Sequence, residues 1–373
     1  MSSSAAHPAD TTALTPSQAY AAGVARGDWS DDPAQHPALR ELDRIHAGVL
    51  DPPSQSLFDR LRGKPRGGVR GLYLWGGVGR GKTFLIDLFY EHLPIAEKRR
   101  THFHRFMREV HAQLRNHAGE SDPLAKIVRE WRDQLRVLVL DEFFVIDIGD
   151  AMLLGRLLDR MFAEGVTLVT TSNTEPANLY ADGLQRDRFK PAIELIQRHC
   201  ETVLLDSAHD YRLRALTRSP VYRAPLDAQS DAWLAGRWKE LAAGCASASG
   251  PLRIEGRDIP VRALADGHAW FDFAALCEGP RAASDYIEIA TEYHTVLLGG
   301  IPRFPGGIHD DAARRFINLI DEFYDRHVNL VCTADEAPTG LYQGHRLSAA
   351  FERTASRLIE MQSAEYLALE HRG

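Results

Sequence analysis

Eight consecutive residues, Gly76-Gly77-Val78-Gly79-Arg80-Gly81-Lys82-Thr83, satisfy the spacing G-x-x-x-x-G-K-[ST] in full. Glycines so placed let successive backbone N–H groups point into one concavity, and a helix opening at its rim adds the positive end of its dipole. The chemistry is phosphate binding. Lys82 supplies a point charge for β- and γ-phosphates and Thr83 a hydroxyl for Mg²⁺, with the binding segment running from Gly76 through Phe84.

Further along, "RVLVLDEF" ends a buried apolar run on Asp141 and Glu142. A carboxylate at that strand tip can hold Mg²⁺ through water, and its neighbour can activate an attacking water. The same pair can also cap a following helix. "VTLVTTSN" ends on Asn173, which could orient water near a γ-phosphate or serve as a turn residue. "DGLQRDRFKPAI" puts Arg186 and Arg188 just before another helix. From there an arginine either reaches a neighbouring subunit's nucleotide or remains solvated. Neither D-x-x-G nor N-K-x-D occurs in the positions a GTPase uses, so ATP hydrolysis is favoured over GTP switching.

These groups need a frame that brings distant strand tips together. "GLYLWG", "RTHFHRF", "RVLVLDEF", "VTLVTTSN" and "CETVLLD" read as strands. "KTFLIDLFYEHL", "MREVHAQLRNH" and "DAMLLGRLLDRMFAEG" between them have helical periodicity. Such alternation implies a parallel sheet covered on both faces. Ahead of it lie a Ser/Ala/Pro-rich start, expected to be disordered, and a helix over "HPALRELDRIHAGVL". Behind it, "LRIEGRDIPVRALADGHAWFDF" reads as antiparallel strands turning at Glu255–Gly256 and Asp266–Gly267. Strand, helix, strand and a long helix follow. "FINLIDEFYDRHVNLVCTAD" echoes "GRLLDRMFAEGVTLVTTSN" in order and spacing, a shared strand–helix grammar. The expected division is residues 1–60, 61–215 and 216–373.

With 373 residues, 44% hydrophobic and 25% charged, the chain can build more than one sizeable core. A net charge of −7 argues against a protein that mainly coats nucleic acid. Four dispersed cysteines, without a C-x-x-C pair, suit a reducing cytoplasm rather than a zinc or disulfide framework. No signal-peptide pattern or membrane-length apolar run occurs, so any membrane association is expected to be peripheral. His102 and His104 have the H-x-H spacing of some metal sites, with His111 nearby, but alternation on a strand face explains the pair. The basic loop Arg60–Arg70 lacks the interleaved aromatics that stack bases and reads as solvated. Trp270, Phe271 and Phe273 read as core, while the stripe of Leu358, Met361 and Leu367 fits packing within the chain or onto a partner.

The order of phosphate loop, "DEFF", "TSN" and "LQRDRF" resembles AAA+ ATPases. The longer set "LYLWGGVGRGKT", "HFHRFM", "LDEFFVIDIGDAMLLGRLL", "VTTSN", "DYRLR" and "FERTASRLIEMQS" resembles the ZapE/AFG-one-like ATPase family, from about Tyr20 onward. The resemblance implies an α/β P-loop NTPase core of the AAA+ type with a C-terminal α+β region. It also implies Mg-ATP hydrolysis and homo-oligomers conditional on nucleotide. For the bacterial branch it implies action on FtsZ assemblies near the inner membrane, and for the mitochondrial branch a quality-control role. By the same resemblance Lys82 and Thr83 are Walker A, Asp141 and Glu142 Walker B, and Asn173 sensor 1. Arg188 in "DRF" is similar to the "SRF" arginine finger of initiator-type members, with Arg186 in reserve. "DAARRFINLID" is similar to a clamp-loader lid motif and points to Arg314 or Arg315 as sensor 2, with Arg212 competing. A nucleic-acid loader sharing this core, or a scaffold using ATP as a structural ligand, are the alternatives.

Overall fold

The computed structural model describes residues 14–51, 67–77, 79–132, 134–181, 183–207, 216–242, 247–248, 250–254, 256–265 and 267–372. The Ser/Ala/Pro-rich start, most of the loop Arg60–Arg70, Val78, Arg212, Cys245 and the turn residues Glu255 and Asp266 lie outside them. The chain forms two compact units, 1–209 and 210–373.

The first unit opens with α1 (Pro16–Arg26) and α2 (His36–Leu50). Thr15 accepts from Gln18 N while Gln18 accepts from Thr15 N, a capping box that starts α1 at Pro16. Then come β1 (Gly71–Trp75), α3 (Lys82–His92), β2 (Lys98–His102), α4 (Phe103–Asn116) and α5 (Pro123–Trp131). They are followed by β3 (Val137–Asp141), α6 (Ile148–Ala163), β4 (Thr167–Ser172), α7 (Arg186–His199) and β5 (Cys200–Leu204). All five strands are parallel, in the order β2-β3-β4-β1-β5. This is the covered parallel sheet expected of the P-loop fold.

Period-two alternation divides the core. Leu72, Leu74, Val137 and Val139 face the cluster built on α1, α2 and α3. Tyr73, Leu138 and Leu140 face the cluster built on α4, α6 and α7. Because both faces are covered, the strands read as continuous apolar runs rather than alternating ones. One expected boundary moves. "RTHFHRF" is strand only through His102, and Phe103 begins a helix. Phe103, Phe106, Met107 and Val110 bury at i, i+3, i+4 and i+7, a helical stripe that overrides the local alternation. His104 is therefore on a helix, not on the strand face with His102.

The second unit contains β6 (Tyr222–Arg223), α8 (Ser230–Leu241), β7 (Ser247–Ala248), β8 (Leu252–Ile254), β9 (Arg257–Ile259), β10 (Ala263–Ala265) and β11 (His268–Asp272). After them come α9 (Phe273–Cys277), α10 (Ala283–Glu292), β12 (Thr295–Ile301), α11 (Asp310–Asp325), β13 (Asn329–Ala334), α12 (Ser348–Glu360) and α13 (Ala364–Leu367). The antiparallel expectation holds for β8–β9 and β10–β11. The larger sheet runs β6-β13-β12-β11-β10-β7, and its first four strands are mutually parallel. Trp270, Phe271 and Phe273 are buried. The C-terminal stripe packs within this unit, Leu358 and Met361 in its main cluster and Leu367 beside α8. Its expected single helix is broken at Ser363, whose hydroxyl caps α13 by accepting from Tyr366 N.

The echo seen in the sequence is a structural repeat. Ile148 and Asp310, Thr167 and Asn329, Pro176 and Pro338, and Arg186 and Ser348 open matching elements, each pair 162 positions apart. Both copies of the helix end through a left-handed residue, Gly165 (φ 80°) and His327 (φ 55°). No helix among the described residues is long and apolar enough to cross a membrane.

Candidate active site

Among the described residues of the link between β1 and α3, Gly76, Gly79 and Gly81 hold positive φ, a backbone that side chains resist. Gly76 has φ 149°, and a Cβ there would come within 2.3 Å of Leu205 O. Gly81, at φ 93°, is the residue from which α3 starts. Lys82 is buried at that start, and its Nζ donates to Gly76 O (2.7 Å), Gly77 O (2.8 Å) and Asn173 Oδ1 (2.8 Å). The loop thus curls around the ammonium, and the tip of β4 meets it. Thr83 and Phe84 occupy the first turn of α3.

The neighbouring strand tips are tied together by the hydroxyls of "TTS". Thr170 Oγ1 donates to Leu140 O (2.7 Å) and Ser172 Oγ to Phe143 O (2.8 Å). Glu142 N donates to Thr171 Oγ1 (3.0 Å), while Gly76 N donates to Ser172 O (3.2 Å). Asp141 is buried and Glu142 exposed. Glu142 holds φ 51°, a left-handed conformation that costs a non-glycine residue about 1 kcal/mol. Strain of that kind persists where the surroundings impose it, and here the Thr171 hydroxyl does so.

Sequence reading missed the group beneath Asp141. Arg100, on β2, donates from Nε to Asp141 Oδ2 (2.6 Å) and from its terminal nitrogen to Asp87 of α3. Side-chain exposures are 9% for Arg100 and 3% for each carboxylate, so both of these ion pairs are buried. The signal was an arginine inside a strand of a covered sheet, where a lone cation would not be tolerated. As oxygen donors for Mg²⁺, Thr83 and Asp141 fit a hard cation that keeps water and phosphate for its remaining positions. Among the described residues no group of three or more His, Cys, Asp or Glu side chains is placed to hold a metal unaided.

The N-terminal helices also belong to this setting. Phe84 packs edge-on to Trp29, with ring centroids 4.8 Å apart, and lies 6.2 Å from the Tyr20 ring. Arg80 donates to Ser207 O, and Ser207 Oγ donates to Asp32 Oδ2 (2.7 Å). Loop, α1 and the 3-10 turn at Pro33–Gln35 are therefore connected within the first unit. Arg186 and Arg188 both sit in the first turn of α7. Arg186 is tied to Ala177 O (2.7 Å), whereas Arg188 is exposed. Arg314 and Arg315 lie on α11 of the second unit, where Arg315 donates to Cys277 O (3.1 Å).

His102 Nδ1 stands 3.8 Å from Glu142 Oε2 at the site's edge, and its ring centroid is 6.1 Å from that of His104. Burial, with smaller contributions from His102, Arg108 and Arg105, pushes the His104 imidazole down to about 3. An unfolded chain would protonate His104 near the ordinary value of about 6.5. The folded state therefore binds fewer protons between those values, and stability falls as pH drops through that window. The slope contributed by His104 is at most about 1.4 kcal/mol per pH unit. Denaturant titrations from pH 7 to pH 4 should show it, and His104→Asn should flatten it. An unchanged slope in the variant would assign the acid sensitivity elsewhere.

Residues 14–370 match the family model described as AFG1-like ATPase. The chain is 42% identical over 370 residues to the cell division protein ZapE of Escherichia coli K12, covering 96% of this chain and 98% of that one. It is 34% identical over 344 residues to lactation elevated protein 1 homolog B of Danio rerio, covering 80% of this chain and 68% of that one. Among solved structures, that of DnaI is similar at 18% identity and a TM-score of 0.36, over 49% of this chain and 87% of that chain. The family match spans both units and every element of the site above, and the chain belongs to the AFG1-like ATPase family.

Proposed function

We propose that the chain hydrolyses Mg-ATP at a site shared between subunits. The observation that carries this reading is the meeting of the Lys82 ammonium with Asn173 at 2.8 Å, beside the tip of the strand that ends at Asp141, with Glu142 following it. Gly76 to Gly81 would cradle the phosphates and Lys82 would move from carbonyl acceptors to β- and γ-oxygens. Thr83 and Asp141 would hold Mg²⁺, which supplies charge neutralisation on the transferring phosphoryl group. Glu142, exposed beside them, polarises the attacking water, and Asn173 orients it. Arg188 completes the site from a neighbouring subunit, a choice supported by its being exposed while Arg186 is anchored to Ala177 O. Hydrolysis then depends on assembly, and nucleotide state shifts the chain between assembled and released populations.

Turnover per subunit measured against protein concentration tests the shared site. It should rise with concentration for the parent and stay at least about 100-fold lower for Arg188→Ala at every concentration. A concentration-independent rate that survives the substitution would make the site self-contained. A division-associated substrate is supported by the relationship to ZapE, and FtsZ is the first partner to add to the same assay, where stimulated turnover is expected.

A further inference from the structure

The repeat between the two units extends beyond helix spacing. In the first, strands run β1-β4-β3-β2, and in the second β6-β13-β12-β11, all parallel. Hydrogen bonds coincide as well. Tyr73 Oη donates to Thr174 O (2.8 Å) across from β1, and Tyr222 Oη donates to Glu336 O (2.7 Å) across from β6. Glu142 N donates to Thr171 Oγ1 at 3.0 Å, and Gly300 N to Thr333 Oγ1 at 3.0 Å. Glu142 and Gly300 share the left-handed backbone, at φ 51° and 77°. Equivalence follows strand by strand from the register, and along α3 and α8 from their first residues, Lys82 and Ser230, and it can be read at the place where the first unit does its chemistry.

The glycine loop, its lysine and the acidic pair are gone there. The six residues between β6 and α8, Ala224 to Gln229, contain no glycine, and α8 starts on Ser230 where α3 starts on Lys82. Asp141 and Glu142 correspond to Gly299 and Gly300. Arg100 corresponds to Trp270 by strand register, and Asp87, five residues past the first residue of α3, to Ala235, five past the first residue of α8. The space has also been filled. A Cβ on Gly299 would lie 3.3 Å from Leu234 Cδ1 and 3.4 Å from Asp272 Oδ1. Leu234 and Trp270 belong to one apolar cluster. Where the first unit carries its glycine-rich loop, Ser230 Oγ donates to the Asp227 carboxylate (3.1 Å), which also pairs with Arg223 (2.8 Å), so the backbone there is occupied by side chains of the same segment.

We infer that residues 216–372 are a second copy of the P-loop fold whose nucleotide site has been dismantled and filled, so that each chain takes up one nucleotide, at Lys82. Glycine at 300 removes the backbone strain that Glu142 keeps. The strain survives only in the copy that retains the carboxylate, as expected if the carboxylate is there for function rather than stability.

Equilibrium dialysis of the full-length chain against a slowly hydrolysed ATP analogue with Mg²⁺ counts the sites. One analogue per chain is expected for the parent and none for Lys82→Ala. Two per parent chain, or one remaining in the variant, would overturn the inference while leaving nucleotide binding intact. None in the parent would instead overturn the function proposed above. A second variant judges the copy whatever the count. Gly299→Asp should leave turnover and stoichiometry at parental values and lower the melting temperature by at least about 5 °C, because its carboxylate must displace Leu234. A parental melting temperature would show that the space is open and overturn the inference.

Discussion

Glutamine at position 142 should leave ATP binding near the parental level and lower turnover at least about 100-fold, the range a positioned general base contributes. Glutamine keeps the size and the Thr171 bond of the backbone while losing the basic oxygen. A glycine at the same place separates chemistry from architecture. Glu142→Gly should be equally inactive, yet it should melt no lower than the parent and gain up to about 1 kcal/mol, because φ 51° carries no penalty for glycine. Steady-state turnover, analogue binding and thermal melting on the three proteins check this together. Parental turnover in the glutamine variant would remove Glu142 from hydrolysis. A glycine variant that melts well below the parent would mean the side chain supports the fold.

Arg100→Leu is expected to be the most damaging single change in the first unit. It removes the buried cation that pairs with both Asp87 and Asp141, each 3% exposed. Breaking such a pair from one side costs about 3–5 kcal/mol, a large fraction of a domain's stability. The second unit suggests the rescue. It holds Trp270, Ala235 and Gly299 at the equivalent places and is packed without any of these charges. Adding Asp87→Ala and Asp141→Gly to Arg100→Leu should therefore recover most of the lost stability while turnover stays absent. Denaturant midpoints of the single and triple variants decide the matter. A single variant as stable as the parent would show that the two carboxylates do not depend on Arg100.

Much of the first unit was open to reading from the string of residues. A phosphate loop must approach its ligand with backbone, so it needs glycines at set intervals and announces itself. The strand runs before and after it are apolar on both faces, and covered parallel strands have no other way to look. The order Lys82, Asp141, Glu142, Asn173 and Arg188 was likewise visible, since each stands at a strand end or helix start. Local signals misled where tertiary packing outweighed them. The alternation in "RTHFHRF" gave way to a helical stripe through Phe103, Phe106 and Met107 because a covered face lay ready to bury it. The part of Tyr20, Trp29 and Asp32 in holding the loop could not be seen either, as nothing nearby in sequence connects them to Phe84 or Ser207.

Residue spacing, then, was enough to establish the phosphate loop, the acidic strand end and the α/β class, because each depends on contacts within a turn or a strand. It also carried the echo between the two halves, as a rhythm without a meaning. Three-dimensional packing alone showed that Arg100 unites Asp87 with Asp141, partners 13 and 41 positions away. It alone turned the echo into a second P-loop sheet, since strand order and cross-strand register exist only between segments far apart in the chain. A dismantled site leaves no motif to recognise: its residues are ordinary glycine, leucine and tryptophan, and only their positions tell what they replaced.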